Sequence, residues 1–186
     1  MKKALITIIF CCVLFGLKAQ KVNENNIINK LFYAELGGPG VVFSANMDGR
    51  FNPESKLGFG YRVGMGFGLE YEEPYNFFSI LIFDTSESPK SSYGTFPVGI
   101  NYLLGKDHSP GMFEIGAGTT FLTKKVNLYN WNNDFAKPGN FIGHFTFMYR
   151  HQPIRGGFAF RLGFMTVIGT GGDLFPSAAA GFGYAF

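Results

Sequence analysis

Phe182, Tyr184 and Phe186 alternate with Gly181, Gly183 and Ala185 in the last residues of the chain. A side-chain period of two belongs to a β-strand, so the rings share one face and the small residues the other. In a water-soluble sheet the ringed face would turn to a core and the opposite face would carry charge. Here that opposite face reads Ser177, Ala179, Gly181, Gly183 and Ala185, all small and uncharged. The inversion suits a strand whose rings meet lipid and whose small side lines a narrow barrel.

The pattern recurs along the chain. Phe158, Phe160, Leu162 and Phe164 alternate with Ala159, Arg161, Gly163 and Met165, and similar runs cover 57–69, 96–104, 113–121 and 141–149. Each has about the ten residues that a tilted membrane strand requires. Repetition also explains a composition of 26 glycines and 23 phenylalanines. Glycine makes room in a crowded lumen, and phenylalanine facing lipid needs no partner. Leu31 to Met47 has strand character broken by Gly37-Gly38-Pro39-Gly40, and is read as one long strand with a bulge. Phe77 to Phe83 (FFSILIF) scarcely alternates, but counting it brings the strands to eight. An even count returns both termini to one side of the membrane. The expected fold is therefore all-β: a transmembrane, antiparallel, up-and-down barrel of eight strands over residues 31–186.

That count assigns the connections. Glu72 to Asn76, Lys106 to Gly111 and Gln152 to Gly157 become short periplasmic turns, rich in Pro, Gly and charge. Asp48 to Lys56, Asp84 to Ser92, Lys125 to Pro138 and Gly169 to Leu174 become outer loops. Trp131 with Tyr71, Tyr75, Tyr93, Tyr102, Tyr129, Tyr149 and Tyr184 fits an interfacial aromatic girdle.

The start of the chain has the form of a secretory signal. Lys2 and Lys3 precede an apolar run from Ala4 to Leu17, and Leu17-Lys18-Ala19 offers a cleavage site before Gln20. The run is too short to span a bilayer as a helix, which takes about 20 residues. Residues 1–19 are thus expected to be removed, leaving 20–30 as a periplasmic lead-in. The formal charge of +3 includes Lys2, Lys3 and Lys18, so the remainder is balanced and offers nothing to nucleic acid. Cys11 and Cys12 leave with the signal, and with them any disulfide framework or thiolate chemistry.

Alternation places Glu35, Arg62, Glu70, Glu114, Arg150 and Arg161 on inward faces, where they are expected to form a paired charge network filling the lumen. The alternative use of such charges is an ion path through a narrow pore. Among the histidines, His108 stands beside Asp107 and Ser109, but adjacent side chains diverge and form no relay. His151 is periplasmic in this reading, and His144 points inward near mid-strand, away from the rim where a lipid-processing centre would lie. Gly64-Met65-Gly66-Phe67-Gly68 lacks the helix a phosphate loop needs. Glu70, Glu72, Glu73 and Asp84 are better read as a solvated cluster than as a calcium site. No catalytic, metal or cofactor site is expected.

Ala34-Glu35-Leu36-Gly37-Gly38, Gly60-Tyr61-Arg62-Val63-Gly64, the run from Phe96 to Gly105, Glu114-Ile115-Gly116-Ala117-Gly118 and the ending Gly181 to Phe186 together resemble the small outer-membrane β-barrel proteins abundant in Bacteroidetes-type bacteria. The resemblance implies an outer-membrane location and a porin-like barrel without a catalytic pattern. It implies that Phe182, Tyr184 and Phe186 form the signal read by the outer-membrane assembly machinery. The partners it suggests are membrane lipid, that machinery and periplasmic chaperones, around a monomer. A structural and surface-interaction role leads, followed by a narrow pore or small-molecule transporter, then a lipid-modifying enzyme.

Overall fold

The computed structural model describes residues 27–70, 90–126, 139–169 and 174–186. Eight strands form one closed antiparallel barrel in sequence order: β1 Lys30–Gly37, β2 Phe43–Arg50, β3 Gly58–Glu70, β4 Ser91–Gly105, β5 Gly111–Val126, β6 Gly139–His151, β7 Gly157–Ile168 and β8 Leu174–Ala185. Closure joins β8 to β1 through Phe32↔Tyr184 and Ala34↔Phe182. The backbones of Lys30 and Phe186 then exchange two hydrogen bonds, 3.2 and 3.0 Å. A closed ladder leaves no unpaired edge in hydrocarbon, which is the condition for spanning a bilayer with strands.

The strand count agrees with expectation, but two of its parts differ. Leu31 to Met47 is two strands rather than one bulged strand. Gly37 and Gly38 take positive φ (66° and 70°), Pro39 follows, and the Gly38–Gly40 turn reverses the chain. Ala34 then faces Ala45 across β1 and β2. A strand with a bulge would show the same alternation, so only the reversal distinguishes them. The other part, residues 77–83, lies outside the described residues. β3 pairs directly with β4 from Gly58↔Leu103 to Glu70↔Ser91, so the wall closes without it.

The reversal also moves a loop. β2 returns to the end of the barrel that holds both termini, called here the terminal end. The connection at 51–57 therefore joins 106–110 and 152–156 there, and Asp48 to Lys56 is not an outer loop. Lys56 Nζ fastens two of these connections by donating to the Ser109 carbonyl, 2.6 Å. β1, β3, β5 and β7 all run toward and end at the far end. Glu72 to Asn76, expected as a terminal-side turn, lies outside the described residues, but the strands that bracket it meet at the far end.

Outside, the wall is apolar. Phe32, Phe59, Met65, Phe113, Phe145, Phe147, Phe158, Phe164 and Phe182 are all exposed, Phe164 at 74%. Among described strand residues, charge faces outward only at strand ends, as at Lys30 and Lys125. Near the terminal end the rings touch: Phe59 meets Tyr102 edge-on at 4.7 Å, Tyr149 lies 6.1 Å from Phe113, and His151 stacks on Phe160 at 5.2 Å. Tyr102, Tyr149 and Tyr184 thus lie on the outer surface, as a girdle requires. Tyr93 does not; it turns inward and is buried.

Two prolines sit where strand pairing allows. Pro97 interrupts the β3–β4 ladder between Val63↔Val98 and Gly66↔Thr95 while still facing Thr120 on β5. Pro176 faces Thr166 on β7, in the part of β8 that runs on beyond the end of β1. A residue without an N–H is tolerated at such interruptions and edges.

Candidate functional site: a closed lumen

The bore near the termini is occupied by ions. Glu35, Asp48, Arg50, Arg62, Glu114, Arg150 and Arg161 are all buried there, with Arg150 at 0% exposure. Glu114 is the hub. Its carboxylate takes Arg161 Nη2 at 2.9 Å and Arg150 Nη1 at 3.3 Å, with Asn101 Nδ2 at 3.4 Å. Asp48 is a second hub, holding Arg50 Nη2 at 2.6 Å, Arg150 Nη1 at 2.9 Å and the amide of Asn101. Arg50 donates further to Asn101 Oδ1 at 2.6 Å and to the Gly58 carbonyl at 2.9 Å. Strands β2 through β7 are thereby cross-linked through the middle.

Glu35 is held more loosely. Arg161 Nε is 3.4 Å from one oxygen and Arg62 Nη1 is 3.8 Å from the other. Four guanidinium groups thus meet three carboxylates in this cluster. The Tyr33 hydroxyl supplies the missing acceptor: it takes a hydrogen bond from Arg161 and another from Arg62 at 3.3 Å. Its ring lies 4.8 Å beneath the Arg161 guanidinium, a cation–π contact. β8 has no charge in the bore; it makes room instead. A Cβ on Gly181 would come within 2.9 Å of Arg161 Cγ and 3.1 Å of the Tyr33 ring. The small face of the last strand exists because two large side chains lie against it.

The terminal mouth is stoppered. Gln152 Oε1 accepts from Arg150 Nε at 3.0 Å and Nη2 at 2.7 Å, while Gln152 Nε2 donates to the Ile28 carbonyl at 3.0 Å. Ile28 packs with Leu31, Tyr33, Ala159 and Ala185. The final residues of the expected lead-in are therefore part of the barrel's closure.

The far half is built differently. Tyr93, Leu122, Val126 and Ile142 form an apolar cluster inside the barrel, with Val41 and Val167 against it. At the rim, Lys124 Nζ meets Glu70 Oε2 at 2.7 Å, and Ser91 donates to the same oxygen at 2.8 Å. Glu70 is thus a partly exposed rim residue, separate from the central network to which alternation assigned it. Five of the six charges picked out by alternation, Glu35, Arg62, Glu114, Arg150 and Arg161, do converge. Asp48 and Arg50 join them because β2 runs inward as far as Arg50, which the long-strand reading of 31–47 does not anticipate; Asn101 and Tyr33 join as uncharged partners, which a search for charges passes over.

None of this resembles a catalytic relay. His144 Nε2 lies 3.4 Å from Arg62 Nη2, and no hydroxyl or carboxylate is bonded to its Nδ1 among the described residues. His108 lies in the 106–110 connection and His151 stacks outward. Among the described residues no group of three or more His, Cys, Asp or Glu side chains could hold a metal ion.

No family model and no curated protein matches the chain. Among solved structures it is similar to the N-terminal β-barrel domain of Pseudomonas aeruginosa OprF. The TM-score is 0.50, over 87% of this chain and 98% of that domain, at 8% identity. At that identity the likeness concerns the fold alone: a β-barrel.

Proposed function

We propose that the protein is an integral outer-membrane barrel that does not conduct, and that it acts as a structural element of the envelope and a carrier of surface loops. The carrying observation is the inverted partition of side chains, with rings outside and a bonded arginine–carboxylate network within. Lipid is the environment that the outer face suits. Buried ions in a narrow bore need partners rather than a solute. The fold shared with an outer-membrane barrel domain supports the location. So do the signal-like residues 1–19, with cleavage between Ala19 and Gln20, and the motifs resembling Bacteroidetes-type barrels. In this reading the terminal end is periplasmic, Phe182, Tyr184 and Phe186 address the assembly machinery, and the monomer needs no cofactor.

The test has two arms. The folded protein should float with membranes and run faster on a gel before heating than after; a protein that stays soluble without detergent overturns the location. Reconstituted in planar bilayers, it should give no steps of current above the bare membrane. Stable ohmic steps would instead make it a pore.

A further inference from the structure

The Gly38–Gly40 turn does not stand above the barrel as a hairpin loop would. Gly38, Pro39 and Gly40 are all buried, and the turn lies beside β3, β4, β5, β7 and β8 as well as its own two strands. A connection can do this only by folding inward across the bore. Two threonines hold it there. Thr120 Oγ1 donates to the Pro39 carbonyl at 2.7 Å and Thr95 Oγ1 to the Gly40 carbonyl at 3.0 Å. Both hydroxyls come from the opposite wall and are wholly buried.

The turn rests directly on what lies beneath. A Cβ on Gly38 would fall 2.7 Å from Glu35 Oε2, and one on Gly40 would collide with the Ser44 side chain. Glu35 in turn faces Arg62 and Arg161. The inward fold is not relaxed. Val41 sits at φ 74°, ψ −81°, a strained backbone conformation for a β-branched residue. The turn is thus a strained hinge held by side chains of two other strands, β4 and β5.

We infer that the β1–β2 turn is an inner lid, latched by Thr95 and Thr120, which closes the charged chamber against the far mouth. Swinging out, it would uncover Ser44, Asn46 and Glu35 while leaving the arginine network in place. The lid therefore controls access to the chamber from the far side, and the network controls passage through it. This rests on the closed-lumen reading above but can fail separately from it.

The experiment is thiol labelling of Ser44→Cys in folded protein in detergent micelles, using a small charged maleimide. The other cysteines, Cys11 and Cys12, are replaced by serine, and Glu54→Cys serves as the exposed reference. Parent labelling should be far slower than the reference. Thr95→Val with Thr120→Val removes both latches at nearly constant shape and should raise the rate on the order of tenfold or more. Gly40→Ala supplies an independent wedge beneath the turn and should raise it too, which keeps the test decisive if the double variant does not fold. Unlidded protein should still carry no current. Slow parent labelling that the folded variants leave within about twofold overturns the lid alone. Parent labelling as fast as Glu54→Cys overturns the closed lumen as well.

Discussion

The two halves of the bore are filled by opposite means. Near the termini the filling is ionic, with Arg50, Arg150 and Arg161 paired with Asp48 and Glu114. Toward the far mouth it is apolar, with Tyr93, Leu122, Val126 and Ile142 packed beside a turn of backbone. The halves differ in how they fail. An apolar filling loses stability roughly in proportion to the volume removed. An ionic one loses little when both partners go together, and much when one is left behind. The ionic half ties six strands together across the bore, whereas the apolar half packs beside the turn that forms the lid.

The sharpest way to break this contrast is Glu114→Ala. It strips Arg161 of its 2.9 Å partner and Arg150 of one of two. A buried guanidinium left without its carboxylate costs about 3–5 kcal/mol. Urea titration of the barrel in lipid vesicles should show that loss as an earlier midpoint. Replacing the pair together, with Glu114→Met and Arg161→Met, should recover much of it, because Arg161 is no longer left behind while Glu35 keeps Arg62 and Arg150 keeps Asp48. A double variant as weak as the single one would mean that the network acts through net attraction.

On the apolar side, Ile142→Ala should cost about 2–4 kcal/mol by the same titration, the price of a cavity among Tyr93, Leu122 and Val126. The two losses are similar in size, but only the ionic one should be rescued by a second substitution. Failure of that asymmetry would erase the distinction between the halves.

How much of this could be read in advance follows the same division. Outward rings and inward small residues declared the barrel, because a period of two needs no knowledge of partners. The same alternation put Glu35, Arg62, Glu114, Arg150 and Arg161 inside. It could not say which bonded to which, since the partners of Glu114 come from β6 and β7. Nor could it see the reversal at Gly38–Gly40. A bulge and a turn of this composition leave identical alternation on either side, and the difference lies in φ at Gly37, Gly38 and Val41. The turn accounts for several differences: it puts 51–57 at the terminal end, completes the eight described strands without drawing on 77–83, and carries Asp48 and Arg50 into the bore. Tyr93 was misplaced for another reason. Tyrosine near a strand end fits a girdle or a lumen equally well, and the parity of β4 decides it.

The smallest effect belongs to the one predicted lumen charge that lies outside the network. Glu70 and Lys124 retain 26% and 32% of their side-chain exposure, so water competes for both ends of their 2.7 Å pair. An exposed pair of this kind contributes at most about 1 kcal/mol and weakens with salt. Glu70→Gln preserves the shape and a hydrogen-bond acceptor for Ser91, so the expected shift in the urea midpoint is a few tenths of the Glu114→Ala shift or less. It should shrink further when salt is raised, whereas the Glu114→Ala loss should not, since its arginines are shielded from ions by the barrel wall. A Glu70→Gln loss as large as that of Glu114→Ala, and equally indifferent to salt, would make the rim a continuation of the ionic half. The boundary between the two fillings would then lie at the mouth of the barrel rather than beneath the lid.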